Sequence, residues 1–151
     1  MMTSIRLANS VDVDRIAEID AELYGANGYQ YFTIKQYLDL FHNSFFVADS
    51  SDELIGYCVI GVEAFTRQAW LLSIAVCKAA QHQGVGRALM EAAEEYCIKQ
   101  QIDACKLTVH PENEGALSLY EHFGYCIEKN YSAYYKEGDP RVLMTKHYAN
   151  K

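Results

Sequence analysis

At 151 residues, 50% hydrophobic and 22% charged, the chain has the size and balance of one domain, 1–151, built on a single core, which excludes a disordered or fibrous polymer. Its 13 Lys and Arg against 20 Asp and Glu leave a formal charge of -7, so no general attraction to nucleic acid or to an anionic membrane is expected, and a polyanionic ligand has to be held locally. Five cysteines, at 58, 77, 97, 105 and 126, form no CxxC pair and fall mostly in apolar patterns, which points to a reducing cytoplasm, and no stretch approaches the roughly 20 apolar residues of a membrane span. The opening Met1 to Asn9 has no apolar run behind basic residues, so no leader is expected.

In chain order, Ile5 to Ala8 reads as a short strand, and Ser10 as the N-cap of a helix with Val13, Ile16, Ala17 and Leu23 on one face. Tyr24 to Phe32 is rich in aromatics and glycine and reads as a loop ending in a capping box, Thr33 with Gln36, before a second short helix carrying Ile34, Tyr37, Leu38 and Phe41. Phe45 to Ala48, a polar turn over Ser50 to Glu53, and Leu54 to Val62 form an expected antiparallel hairpin, with Trp70 to Val76 as the next strand. From Gly84 to about Gln101 a full apolar stripe at 85, 88, 89, 92, 93, 96 and 97 marks a long helix, with Arg87, Glu91, Glu94, Glu95 and Lys99 outside. Cys105, Leu107 and Val109 alternate as a strand. Glu112 to Phe123 then reads as a helix stopped by Gly124, and Tyr125 to Lys129 and Val142 to Lys146 as two closing strands. The order β-α-α-β-β-β-α-β-α-β-β specifies a mixed α/β sheet.

The chemistry concentrates after the strand ending Ile74-Ala75-Val76, where Gln81-His82-Gln83-Gly84-Val85-Gly86-Arg87-Ala88 leads into the long helix. Two glycines let backbone approach a ligand, and the amides of a first helical turn suit pyrophosphate, with His82, Gln83 and Arg87 as further donors. Gly-x-Gly alone fits an unliganded strand-to-helix turn equally well. A third glycine for a dinucleotide fingerprint and the lysine of a P-loop are both missing, so those two sites fit poorly.

Gln81-x-x-Gly84-x-Gly86 resembles the cofactor motif of the GNAT superfamily of acetyl-CoA-dependent N-acetyltransferases, Gln or Arg, two residues, Gly, one residue, Gly or Ala. The likeness runs from Ile5-Arg6-Leu7-Ala8 with Asp12 and Asp14 to Asn113-x-x-Ala116-x-x-Leu119-Tyr120-x-x-x-Gly124-Tyr125. It implies an α/β (α+β) fold, a mixed and largely antiparallel sheet of about six or seven strands flanked by about four helices. It also implies that the backbone of Ile74, Ala75 and Val76 pairs with the pantetheine arm of acetyl-CoA, that the amides from His82 to Arg87 hold its pyrophosphate, and that Asn113 contacts it from the next helix. Tyr120 would stand near the sulfur, where a phenol can protonate the expelled thiolate. On its own spacing with Ala116, Leu117 and Phe123, Tyr120 also admits a reading as a core tyrosine.

Asn130-Tyr131, Tyr134-Tyr135, Gly138-Asp139 and Val142-Leu143-Met144 most resemble the enzymes that acetylate protein N-termini, including the ribosomal-protein-alanine type. That likeness implies a peptide groove shaped by Tyr24, Tyr29, Tyr31, Tyr134 and Tyr135, although Ser132 and Ala133 enlarge the usual spacing. The family's base positions hold Trp70 and Thr108, neither of which is a base, which leaves Glu63, His110 and Glu112 as alternatives or a water relay through Ser73 or Thr108. Deprotonating an α-amine of pKa about 8 at neutral pH costs about 1 kcal/mol, against about 4 to 5 kcal/mol for a lysine, so an α-amine tolerates a missing carboxylate better.

The expected function is therefore acetyl transfer from acetyl-CoA to a primary amine, first a protein or peptide N-terminus, in a monomer or homodimer. A small-molecule amine acceptor and a non-catalytic acyl-CoA-binding or interaction module are the alternatives. The five histidines lack zinc spacing, so no metal is expected.

Overall fold

The computed structural model describes residues 2–148, and residues 1 and 149–151 of the expected domain lie outside it. Eleven regular elements follow one another: β1 (Ser4–Leu7), α1 (Val13–Tyr24), α2 (Tyr31–Leu40), β2 (Phe45–Ser50), β3 (Glu53–Glu63), β4 (Gln68–Val76), α3 (Val85–Lys99), β5 (Ala104–Val109), α4 (Glu114–His122), β6 (Cys126–Tyr131) and β7 (Arg141–His147). The seven strands make one mixed sheet in the order β1-β2-β3-β4-β5-β7-β6. Neighbours β1/β2, β2/β3, β5/β7 and β6/β7 are antiparallel, while β4 and β5 run parallel over Gln68–Trp70 and Ala104–Lys106. The expected mixed, largely antiparallel sheet with four helices is what the chain forms.

Two compact units divide the chain, one taking Leu72–Tyr96 with the residues up to Gly61, the other taking Val62–Leu71 with the residues from Cys97. In the first, Val13, Ile16 and Ile19 of α1 and Ile34 and Leu38 of α2 are buried, as their helical spacing dictates. Strand β3 is buried at every position from Leu54 to Gly61, so it carries a continuous apolar run rather than an alternating one. Phe45 packs on Tyr57 with ring centroids 5.8 Å apart, and Val85, Leu89 and Met90 bring the first turns of α3 into this core. Each fully buried aliphatic side chain contributes about 2 kcal/mol relative to exposure. The second unit buries Cys97, Ile102, Cys105, Leu107, Met144, Tyr120 and Tyr125. All five cysteines are thiols rather than disulfides, four of them buried.

Helix boundaries depart from expectation for local reasons. Asn9, not Ser10, forms the first cap: its side chain accepts from Val11 N–H at 3.0 Å while Asp12 Oδ2 accepts from Asn9 N–H at 2.8 Å, a reciprocal box that leaves Ser10 inside a 3-10 turn. Tyr24 closes α1, and Tyr31 and Phe32 open α2, so the expected loop shrinks to a 3-10 turn at Gly25–Asn27 with the residues beside it. Thr33 consequently sits within the first turn of α2 and does not cap it. There Gln30 O accepts from Thr33 and Ile34 N–H at 3.0 and 3.2 Å. Helix α4 begins at Glu114 rather than Glu112, because Asn113 Oδ1 accepts from Ala116 N–H at 3.2 Å and makes Asn113 the cap.

Candidate active site

In the first unit, β4 runs through Ile74, Ala75 and Val76 and reaches α3 by way of residues 77–84. His82 and Gly84 both take positive φ, 64° and 83°, which turns the backbone sharply just before the helix. Residues 82–84 are exposed, and the space a Cβ on Gly84 would fill is open. Ala88 N–H donates to Gly84 O at 3.0 Å, so the amides of the preceding residues are the first-turn donors that no helical carbonyl reaches. With the positive end of α3 behind them and exposed His82 and Arg87 beside them, these residues suit a pyrophosphate. Gln81 is the tie between loop and strand, its Nε2 donating to Val76 O at 3.0 Å.

That bond is one of three. Cys77 N–H donates to Ile55 O of β3 at 2.8 Å, so by alternation Leu72, Ile74 and Val76 turn their carbonyls to the opposite edge of β4. Tyr29 Oη donates to Leu72 O at 3.0 Å and Tyr24 Oη to Ile74 O at 2.7 Å. Two of the five expected acceptor-groove tyrosines are thus anchored on the strand expected to hold the cofactor. Tyr24 keeps 40% of its surface exposed while its hydroxyl end is desolvated. That desolvation, with the Asp20 charge adding to it, pushes its pKa up to about 12. Tyr31 stands exposed at the start of α2.

Behind these tyrosines lies a group that sequence reading missed. Asp20 is fully buried, and its Oδ1 accepts from Tyr57 Oη at 2.5 Å while its Oδ2 accepts from Tyr29 N–H at 2.6 Å. Tyr57 Oη also lies 2.8 Å from Ser73 Oγ. Burial first, and then the charge of Asp20, raises Tyr57 well above the ordinary phenol value, so it stays a hydroxyl. The signal was present: Asp20 interrupts the apolar face of α1, and an acid there is a buried group needing partners.

In the second unit, Tyr120 is 6% exposed on α4, with its ring centroid 6.2 Å from that of Tyr125. Asn113 spends its side-chain oxygen on the helix cap. Tyr131, Tyr134 and Tyr135 make edge-to-face contacts in sequence, at 4.9 and 4.8 Å, and Arg141 lies over Tyr135 at 5.5 Å. Thr108 Oγ1 lies 3.2 Å from Tyr135 Oη, which ties the β5 position expected to hold a base to the aromatic cluster.

The alternative bases have structural work. Glu63 accepts from Phe65 N–H at 3.2 Å and from both Thr66 N–H and Thr66 Oγ1 at 2.6 Å, bonds that hold its carboxyl below the ordinary range. A turn-capping carboxylate so stabilised is a poor proton acceptor. His110 Nδ1 accepts from Glu112 N–H at 3.1 Å, and Glu112 is exposed. Trp70 lies on the parallel stretch of β4, in register with Lys106. Among the described residues no group of three or more His, Cys, Asp and Glu is placed to hold a metal ion, and no helix is long and apolar enough to cross a membrane.

Comparison with known proteins identifies the family. Residues 13–125 match the model of the acetyltransferase (GNAT) family. An N-alpha-acetyltransferase of Sulfolobus acidocaldarius is 30% identical, over 93% of this chain and 89% of that protein. The crystal structure of Ard1 from Thermoplasma volcanium superposes with a TM-score of 0.89 at 24% identity, covering 99% of this chain and 100% of that one. Arabidopsis thaliana Naa50, in complex with the bisubstrate analogue CoA-Ac-MVNAL, gives a TM-score of 0.84 at 18% identity, covering 98% of this chain and 100% of that one. The two solved structures share the fold. With a family match across most of its length, the chain belongs to the acetyltransferase (GNAT) family and is an acetyl-CoA-dependent acetyltransferase.

Proposed function

We propose that the protein acetylates the α-amine of a protein or peptide N-terminus. The observation that carries this reading is the anchoring of Tyr24 and Tyr29 on the Ile74 and Leu72 carbonyls, which fixes aromatic surface beside the strand proposed to hold the cofactor. Two named relatives support it: the Sulfolobus protein is an N-alpha-acetyltransferase, and Naa50 binds a CoA-peptide bisubstrate analogue.

Acetyl-CoA supplies an activated acetyl thioester. The backbone of Ile74, Ala75 and Val76 takes the pantetheine arm, the amides of His82, Gln83, Gly84, Val85, Gly86 and Arg87 take the pyrophosphate, and Gln81 holds the loop to the strand. Asn113 adds a contact from the N-terminus of α4. Tyr24, Tyr29, Tyr31, Tyr134 and Tyr135 flank the first residues of the acceptor and exclude water from the attack. Tyr120 gives its phenolic proton to the departing thiolate. An α-amine of pKa about 8 leaves an appreciable neutral fraction at physiological pH, which suits a site with Trp70 and Thr108 at the usual base positions.

Two otherwise identical peptides test the reading, one with a free N-terminus and no lysine, the other blocked at its N-terminus and carrying one lysine. Acetylation of the first is expected. Preference for the second, or turnover of a polyamine with neither peptide used, overturns it.

A further inference from the structure

The acceptor nitrogen must lose a proton as it becomes an amide, and the first unit holds a side-chain path that takes one. From Tyr57, Asp20 lies 2.5 Å away on α1 and Ser73 lies 2.8 Å away on β4. The polarity of this path is set by chemistry. An ionised carboxylate only accepts, so Tyr57 donates its one proton to Asp20 Oδ1. The Tyr57 oxygen is then an acceptor for Ser73 Oγ–H at 2.8 Å, and the Tyr24 hydroxyl is a second hydrogen-bond partner of Ser73. Ser73 is left with lone pairs, on a half-buried side chain of β4 between Leu72 and Ile74, whose carbonyls hold Tyr29 and Tyr24. Every donor in the row points toward Asp20.

We infer that Ser73, Tyr57 and Asp20 form a proton relay that replaces the missing carboxylate base, with Ser73 Oγ as the group that meets the acceptor amine. The relay rests on the N-terminal acetylation proposed above. As the neutral amine bonds to the acetyl carbon and the thioester C–S bond breaks, the proton leaving nitrogen passes to Ser73 Oγ. The Ser73 proton passes to Tyr57, and the Tyr57 proton to Asp20 Oδ1. The thiolate takes the Tyr120 proton; after the product leaves, the proton on Asp20 runs back through Tyr57 and Ser73 to solvent, and solvent reprotonates the Tyr120 phenolate, which closes the cycle. Ser73 is the catalytic residue of the row, and Tyr57 and Asp20 act through it.

The surroundings fit a terminal acceptor that keeps its place. Asp20 Oδ2 accepts from Tyr29 N–H, and a Cβ on Gly28 would collide with that oxygen, so this chain segment closes tightly over the carboxylate. The titratable groups around the row are Tyr24 and Glu22 of α1, Tyr29 of the following segment and Tyr37 of α2, whose ring packs edge-on to Tyr29 at 5.2 Å. Glu22 is turned away, its Oε1 accepting from Lys78 N–H at 2.7 Å.

The test is a double-mutant cycle on the full chain, with Ser73→Ala and Tyr57→Phe, each removing one hydroxyl, and kcat measured at saturating acetyl-CoA and acceptor peptide. Each single variant should lose about tenfold or more in kcat with the acetyl-CoA KM unchanged, and the double variant should lose no more than the worse single one, because a broken row breaks once. The wild-type solvent deuterium effect should curve against deuterium fraction, as several protons in flight require, and become linear in both variants. Multiplicative losses, unchanged kcat, or a defect confined to the acetyl-CoA KM overturns the relay. Thermal melts identify a variant that has lost its fold, and Asp20→Glu, which keeps the carboxylate, then repeats the deuterium comparison. A wild-type enzyme inactive on every peptide refutes the proposed acceptor instead, so the two failures are separable.

Discussion

Tyr120 and Tyr125 are joined twice: their rings pack with centroids 6.2 Å apart, and Tyr125 N–H donates to Tyr120 O at 3.1 Å across the end of α4. Gly124 N–H donates to Glu121 O at 3.0 Å with φ at 92°, so the two bonds and the ring contact together make a Schellman motif. The turn that stops the helix is therefore also what fixes the ring of the proposed acid.

Two substitutions separate these roles. Gly124→Ala should destabilise by about 1 to 2 kcal/mol, because alanine resists positive φ, and lower Tm by about 2 to 8 °C. Its Cβ would only reach ordinary contact with Lys146 Cε at 3.4 Å, so the cost is conformational rather than steric. Tyr120→Phe keeps the ring on Tyr125 and should lower kcat about a hundredfold in a protein that still folds. Near-normal turnover in Tyr120→Phe, with chemistry rate-limiting, would reduce Tyr120 to packing.

The anion site gives a second prediction. Gly84→Asp with Gly86→Asp puts two carboxylates where the loop backbone and the first turn of α3 are proposed to hold pyrophosphate. A folded double variant should bind acetyl-CoA at least tenfold more weakly by calorimetry, since each charge near the helix N-terminus opposes the ligand's own. Unchanged affinity would move the cofactor elsewhere.

Local pattern made much of the fold legible, and tertiary contacts account for what it left out. The stripe of α3 and the glycine stop after α4 are periodic, near-neighbour features, and both stand where the spacing puts them. The start of α2 does not. Thr33 and Gln36 have the residue types of a capping box, but Asp20 takes Tyr29 N–H and Leu72 O takes Tyr29 Oη, and these long-range bonds hold the segment from which the helix begins at Tyr31. Asp20 was hidden for a related reason. An acid on an apolar helix face shows only that a partner is needed, and the partners, Tyr57 and Tyr29, come from 37 and 9 residues away.

Tyr29 supplies a third prediction. Tyr29→Phe removes the bond to Leu72 O and leaves the ring against Tyr37. One hydrogen bond is worth about 1 kcal/mol net, so the acceptor-peptide KM should rise about threefold to tenfold while the acetyl-CoA KM holds. A rise in the acetyl-CoA KM alone would assign Tyr29 to the cofactor side.

Acid sensitivity should trace to the N-terminal segment. Arg6 Nη1 and Nη2 donate to Asp12 Oδ2 and Oδ1 at 2.8 and 2.9 Å, and its Nε donates to Asp49 Oδ2 at 2.6 Å. The Arg6 bonds, with further help from Asn9 N–H, hold Asp12 below the ordinary carboxylate range despite its burial. A carboxylate whose folded pKa is depressed contributes stability that is complete above its unfolded value of about 3.9 and is lost as pH falls through the folded value. Because the Arg6 side chain is 39% exposed, solvent screening keeps the contribution to about 1 kcal/mol. Urea midpoints at pH 7 should therefore place Asp12→Asn below wild type, and the difference should shrink as the buffer is taken from about pH 4 toward pH 2, where the wild-type carboxyl is itself protonated. A difference that stays constant across that range would assign the loss in Asp12→Asn to the cap on Asn9 rather than to the ion pair with Arg6.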